Sequence, residues 1–198
     1  TERAPAVTIV DEDAVLEAPE ELLIAGIGDS FAKYHEAKHV SAFKHVEKDN
    51  LAEIALFSSE KMYGIIRNKK APKRALIYAN IAMSGYVSTA GRNAASALFA
   101  HAFTNSVLVM KGAKQVLHGY LAALGVVFEY YMLNKKFPDT ESYKRLGLPM
   151  MFKDLELNPT VLELEKMAEL IKNDDSVEYF YPKIKPEKIM DGLKKILA

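Results

Sequence analysis

Asp29, His101 and His118 have the types that could make an open zinc site, in which one carboxylate and two imidazoles leave a fourth position for a substrate oxygen. His101 sits among Leu98, Phe99, Ala102 and Val107, in the middle of a helical pattern. His118 precedes Gly119 near a helix start, where a glycine allows close backbone approach. A turn at "KGAKQ" between the two helices lets these histidines face each other. Asp29 ends "GIGD", which reads as a tight turn placing a carboxylate at a helix start. The bland alternative for both histidines is a satisfied place in the core. A competing pattern overlaps: His35-Glu36-Ala37-Lys38-His39 is the H-E-x-x-H of zinc peptidases, with Glu60 as a third ligand. Its bland alternative is a solvated helix face bearing two histidines. The two metal readings exclude each other at one ion, because His35 and His39 lie about 80–120° around the helix from Asp29.

The elements that must position these residues are helical. Pro19-Glu20-Glu21 gives a helix start with proline in the first turn. Further helices are predicted from Asp29 to about Lys48, over Asn50–Asn68, and over Arg74–Thr89 after the turn "NKKAPK". Ala94–Met110, Val116–Asn134 and Thr160–Asn173 follow, with a short helix after Pro138 and a last one from Pro186. Ahead of them "AVTIV" (Ala6 to Val10) is β-branched and reads as one buried strand with no partner nearby. The expected fold is an all-α helical bundle behind one residual strand. Residues 1–15 are expected to be strand and linker, and residues 16–198 the helical metal- and substrate-binding domain.

The bulk composition narrows the function. The 198 residues are 49% apolar, with 26 basic and 26 acidic side chains. That balance excludes a global field recruiting nucleic acid or an anionic membrane. There is no cysteine, so any metal must use His, Asp or Glu. The start "TERAPAVTIVDEDAV" lacks the basic, then apolar pattern of a signal peptide, and Val116–Leu133 is broken by His118, Glu129 and tyrosines. These features point to a cytoplasmic protein.

Four blocks carry a family resemblance: "AGIGDSFAKYHEAK", "FAHAFTN", "LHGYLAALG" and "LGLPMMFKDL". In this order they resemble the glycerol dehydrogenase branch of the iron-containing alcohol dehydrogenases, relatives of dehydroquinate synthase. The resemblance covers nearly the whole chain. "TIVDEDAVLEAPEELLIAGIGD" is similar to the crossing from that family's nucleotide domain into its helical domain. It implies that Asp29, His101 and His118 bind the metal and form the catalytic centre. Lys33 stands where the iron-dependent branch places a further histidine, so a three-ligand zinc site is implied, with Fe2+, Ni2+ or Mn2+ as alternatives by ligand type.

The implied reaction is reversible NAD(P)-linked oxidation of an alcohol or polyol. The implied NAD(P) site lies in an N-terminal nucleotide-binding domain with a Gly-rich loop. The chain contains no such loop, since "GIGD" is assigned to the metal and "TAGRNAAS" follows a helix. It is therefore expected to be the metal- and substrate-binding half, inactive without its nucleotide-binding domain and assembled as a homo-oligomer.

Three departures from the family's blocks bear on substrate. Thr104 replaces a frequent second histidine and Tyr120 an acid, while Arg92 stands where an aromatic substrate contact is usual. With Asn105 as a second contact, Arg92 points to an anionic substrate such as a 2-hydroxy acid or a phosphorylated polyol. The alternatives are a non-catalytic helical module serving assembly or regulation, and the H-E-x-x-H peptidase.

Overall fold

The computed structural model describes residues 7–43, 50–89 and 97–197. The chain divides into two compact units, Thr1–Ser96 and Ala97–Ala198, where the sequence pointed to one helical domain from residue 16.

In the first unit, α1 (Glu12–Glu17) is capped by Asp11, whose carboxylate accepts from the Ala14 amide at 3.1 Å. It begins inside the segment assigned to strand and linker. The expected strand is absent from residues 7–10, and Val7 and Ile9 are 73% and 91% exposed. Among the described residues this segment has no strand beside it to complete a ladder. Helix α2 (Glu20–Val40) runs unbroken through both glycines of "GIGD". It packs on α3 (Asn50–Arg67). Helix α4 (Lys73–Tyr78) passes through a π-helical turn (Ala79–Met83) into helical residues 84–89. That π-turn packs against α2 and α3.

In the second unit, α5 (Phe99–Val107) lies against α6 (His118–Met132) and α8 (Val161–Lys172). Helix α6 is apolar nearly all round, as a helix buried on every side must be, with Leu121, Ala122, Leu124, Val126 and Phe128 almost inaccessible. Phe103 stacks obliquely on Phe128 and on Phe152, at centroid distances of 5.4 and 5.7 Å. Burying each such ring contributes about 1.5–3 kcal/mol. Helix α7 (Thr140–Leu146) ends at Gly147 with φ +67°, a left-handed cap that favours glycine. Its Tyr143 hydroxyl donates to the Ala123 carbonyl at 3.0 Å inside the core. A short α9 (Asp175–Phe180), unannounced by the sequence pattern, precedes α10 (Pro186–Lys194), whose proline sits at the helix start as predicted. Among the described residues no helix is long and apolar enough to cross a membrane.

Candidate metal centre

The second unit brings two of the predicted residues together. His101 is the third residue of α5, in its first turn rather than mid-helix, and His118 is the first of α6. The connection turns at Gly112, with φ +88°, and a 3-10 segment (Ala113–Gln115), which folds α6 back along α5. The imidazole centroids are 6.0 Å apart, and one ring nitrogen of each lies within 4.8 Å of the other's. Two nitrogens sharing a zinc ion at about 2.1 Å each can be at most about 4.2 Å apart. A small χ rotation covers the difference. His101 is half-buried and His118 exposed, so the pair combines one partly enclosed imidazole with one open to solvent.

Asp29 lies in the first unit, within α2 and not in a turn. Gly26 is tolerated mid-helix because a neighbour needs its space: a Cβ there would lie 2.9 Å from Asn80 Nδ2. Asn80, on the π-turn, donates to the Leu23 carbonyl and accepts from the Ser30 hydroxyl at 2.9 Å, tying α4 to the stretch that carries Asp29. The half-buried Asp29 carboxylate pairs with Lys33 Nζ at 3.0 Å, one turn on, and that ammonium also donates to Ser84 Oγ at 2.8 Å. The carboxylate is thus already paired with an ammonium of its own helix, which an incoming cation would have to displace or share.

The H-E-x-x-H residues are placed differently from either sequence reading. His35, Glu36 and His39 are not on a solvated face; they are 1%, 0% and 5% exposed. His35 meets Phe31, Tyr34 and Tyr63 with ring centroids 4.9–6.1 Å away. Such burial leaves no room for a peptide at Glu36. Glu60 is exposed, and among the described residues it forms no metal-holding group with His35 and His39.

Of the two predicted substrate contacts, Arg92 lies outside the described residues. Asn105 is exposed on α5 and lines a cleft with Ser106, Leu170, Asn173, Asp174 and Asp175. Another cleft of the second unit, about 500 Å³ and lined by Phe180 to Lys185 and Lys188, contains none of the predicted residues. The candidate centre at the histidines therefore rests on their ligand chemistry and not on a cleft.

Sequence reasoning missed the support beneath His101. Glu129 is fully buried on α6 and accepts from the Ala100 amide at 3.0 Å. Thr104, the residue in place of a second histidine, is buried and donates to the Ala100 carbonyl at 2.8 Å. A lone acid in the apolar run "LAALGVVFEYY" was the available signal. The Tyr181 hydroxyl is held above its usual pKa, first by burial and then by the charge of Glu129.

No family model matches the chain. It is 25% identical over 205 residues to hydroxycarboxylate dehydrogenase A of Escherichia coli (strain K12), covering 95% of this chain and 57% of that protein. Against the glycerol dehydrogenase of Thermotoga maritima it is 26% identical over 187 residues, 84% of this chain and 50% of the relative. A glycerol-1-phosphate dehydrogenase of Pyrobaculum arsenaticum is 27% identical over 170 residues, 80% and 50% respectively. The chain therefore spans about half the length of the curated relatives it matches. Among solved structures, a probable glycerol dehydrogenase from Sinorhizobium meliloti superposes with TM-score 0.75 at 18% identity, over 90% of this chain and 55% of that one. The chain has the fold of the C-terminal helical domain of glycerol dehydrogenases, and its sequence is similar to theirs.

Proposed function

We propose that this chain is the metal- and substrate-binding part of an NAD(P)-linked alcohol or polyol oxidoreductase, with Asp29, His101 and His118 as its metal ligands. The observation that carries the reading is the facing pair His101 and His118, two imidazoles on separate helices with access from solvent. The donor set suits zinc, since two neutral imidazoles and one carboxylate leave a divalent ion a net positive charge and an open position. When bound, such an ion supplies Lewis acidity that lowers the pKa of an alcohol hydroxyl and polarises the corresponding carbonyl. The chain's own contribution is orientation. Helix α5 holds His101 by its first turn, α6 presents His118 at its start, and Asp29 brings the negative charge. The nicotinamide belongs to a nucleotide-binding domain working with this one. An anionic substrate fits Arg92 by its bidentate guanidinium, and the names of two relatives, a hydroxycarboxylate and a glycerol-1-phosphate dehydrogenase, support that class.

Zinc content and affinity of the purified chain test the reading. One equivalent of zinc is expected in the parent, with affinity lower by more than about a hundredfold in His101→Ala and His118→Ala, because each removes one of three ligands. No stoichiometric metal in the parent, or an unchanged affinity in both variants, would overturn it.

A further inference from the structure

We infer that Gly125 and Glu129 of α6 are positioning residues for His101, clamping the residue before it so that the two imidazoles keep their separation. The inference rests on the metal reading above and extends it to the chain's interior. Ala100 precedes His101, and its backbone is held on three sides. Its amide donates to the buried Glu129 carboxylate at 3.0 Å. Its carbonyl accepts from Thr104 Oγ1 at 2.8 Å. The same peptide lies against Gly125, where a Cβ would come within 2.5 Å of the Ala100 carbonyl oxygen and 3.0 Å of its Cα.

Those contacts are with backbone, so no side-chain rotation relieves them. A methyl at position 125 must push the start of α5 away from α6. Gly125 and Glu129 lie one turn apart on one face of α6, so the two contacts act together. The amide of Ala100 is among the first N–H groups of α5, which have no partner within the helix, and a carboxylate there also complements the helix dipole. Because His118 opens α6 itself, a clamp from α6 onto Ala100 references one imidazole directly to the other. A chain of this kind, one residue removed from a ligand, corresponds to the outer partners that orient metal-binding groups.

The test compares zinc affinity in four variants of the 198-residue chain, each shown by circular dichroism to be folded. Gly125→Ala and Glu129→Leu should lower affinity by about 10–100-fold. Glu129→Gln keeps an acceptor for the Ala100 amide and should stay within about threefold of the parent. Gly192→Ala is the control for mere packing damage. Its Cβ would press on Met132 Sδ at 2.6 Å and Phe128 Cε2 at 3.0 Å, other residues of the same helix. It should lower the unfolding midpoint and leave affinity unchanged. Parent-like affinity in Gly125→Ala and Glu129→Leu would overturn the inference, as would an equal loss in Gly192→Ala. Should the parent bind no zinc, the metal reading fails, and the clamp is judged on the metal-free chain by the imidazole Hε1 chemical shifts of His101 and His118. These should move in Gly125→Ala and Glu129→Leu but not in Gly192→Ala; the opposite pattern rejects the clamp. If Gly125→Ala does not fold, the Glu129→Leu and Glu129→Gln pair decides by the same criteria.

Discussion

The two histidine pairs of this chain sit in opposite surroundings. His35 and His39 share one helix, one turn apart, and are sealed within the first unit, His35 among three aromatic rings. His101 and His118 come from different helices of the second unit, face each other, and remain open to solvent. The first pair has the better-known motif, and the second sets one ring nitrogen of each imidazole within 4.8 Å of the other's. Spacing on one helix fixes azimuth but not which way that azimuth faces. An aromatic third of a helix face buries whatever lies beside it, histidines included. The pairs therefore differ in what they should do when removed: one should cost stability and the other should cost a ligand.

The sharpest way to break this contrast is the double variant His35→Ala/His39→Ala. Emptying these buried sites is expected to cost about 2–5 kcal/mol of stability, in the range of other large-to-small core changes. Zinc affinity of the remaining folded protein should stay within about twofold of the parent. Urea unfolding alongside a chelator-competition titration checks both halves. If the double variant keeps its stability and loses its zinc, the roles of the pairs are reversed.

A smaller effect is expected at Lys33. Its ammonium pairs with Asp29 and opposes the arrival of another cation there. A unit charge at about 4 Å is worth about 1 kcal/mol even at the dielectric constant of water, or about fivefold in a binding constant. Lys33→Met should therefore raise zinc affinity by about that factor, measured by the same titration. A lowered affinity would mean that Lys33 holds Asp29 in its ligand position, and would sharpen the account of the first unit.

The smallest effect belongs to the second unit's surface. Glu163 and Thr160 form a reciprocal cap at the start of α8, and the Lys111 amide donates to the same carboxylate. The Thr160 amide and hydroxyl, and then the Lys111 amide, hold the Glu163 pKa below its ordinary value. A depressed carboxylate contributes stability above its unfolded pKa, and that contribution fades as pH falls through the lower folded value. Unfolding midpoints measured downward from about pH 4.5 should thus fall less steeply in Glu163→Gln than in the parent. Parallel curves would show that the cap adds nothing to the acid sensitivity of this unit.

Much of this was legible in the chain. Pro19 and Pro186 announced the helices that follow them, because a proline at a helix start is a local signal whose physics does not depend on distant partners. The proposed ligands Asp29, His101 and His118 were named from type, spacing and family blocks together, and the fold sets the two imidazoles facing each other. What failed depended on neighbours far away in sequence. Gly26 and Gly28 read as a turn, since glycine disfavours a helix interior by about 1 kcal/mol; the need for Gly26 is set by Asn80, on another helix. The strand at "AVTIV" was inferred from residue type, but a strand exists only with a partner. Glu129 was visible as an odd acid in an apolar run, yet only the fold shows that it meets Ala100.

The π-turn at Ala79–Met83 has a consequence of its own. Such a turn fits one residue more than an α-helix would into the same stretch. Helix α4 thus carries one residue of slack, upstream of Ser84, which holds Lys33. Losing a single residue there would let the stretch rewind as an ordinary α-helix with Ser84 at the same azimuth. Gaining one would swing Ser84 about 100° away from Lys33. Length variation in this helix should therefore run in one direction, with shorter versions keeping the Lys33 contact and longer ones losing it.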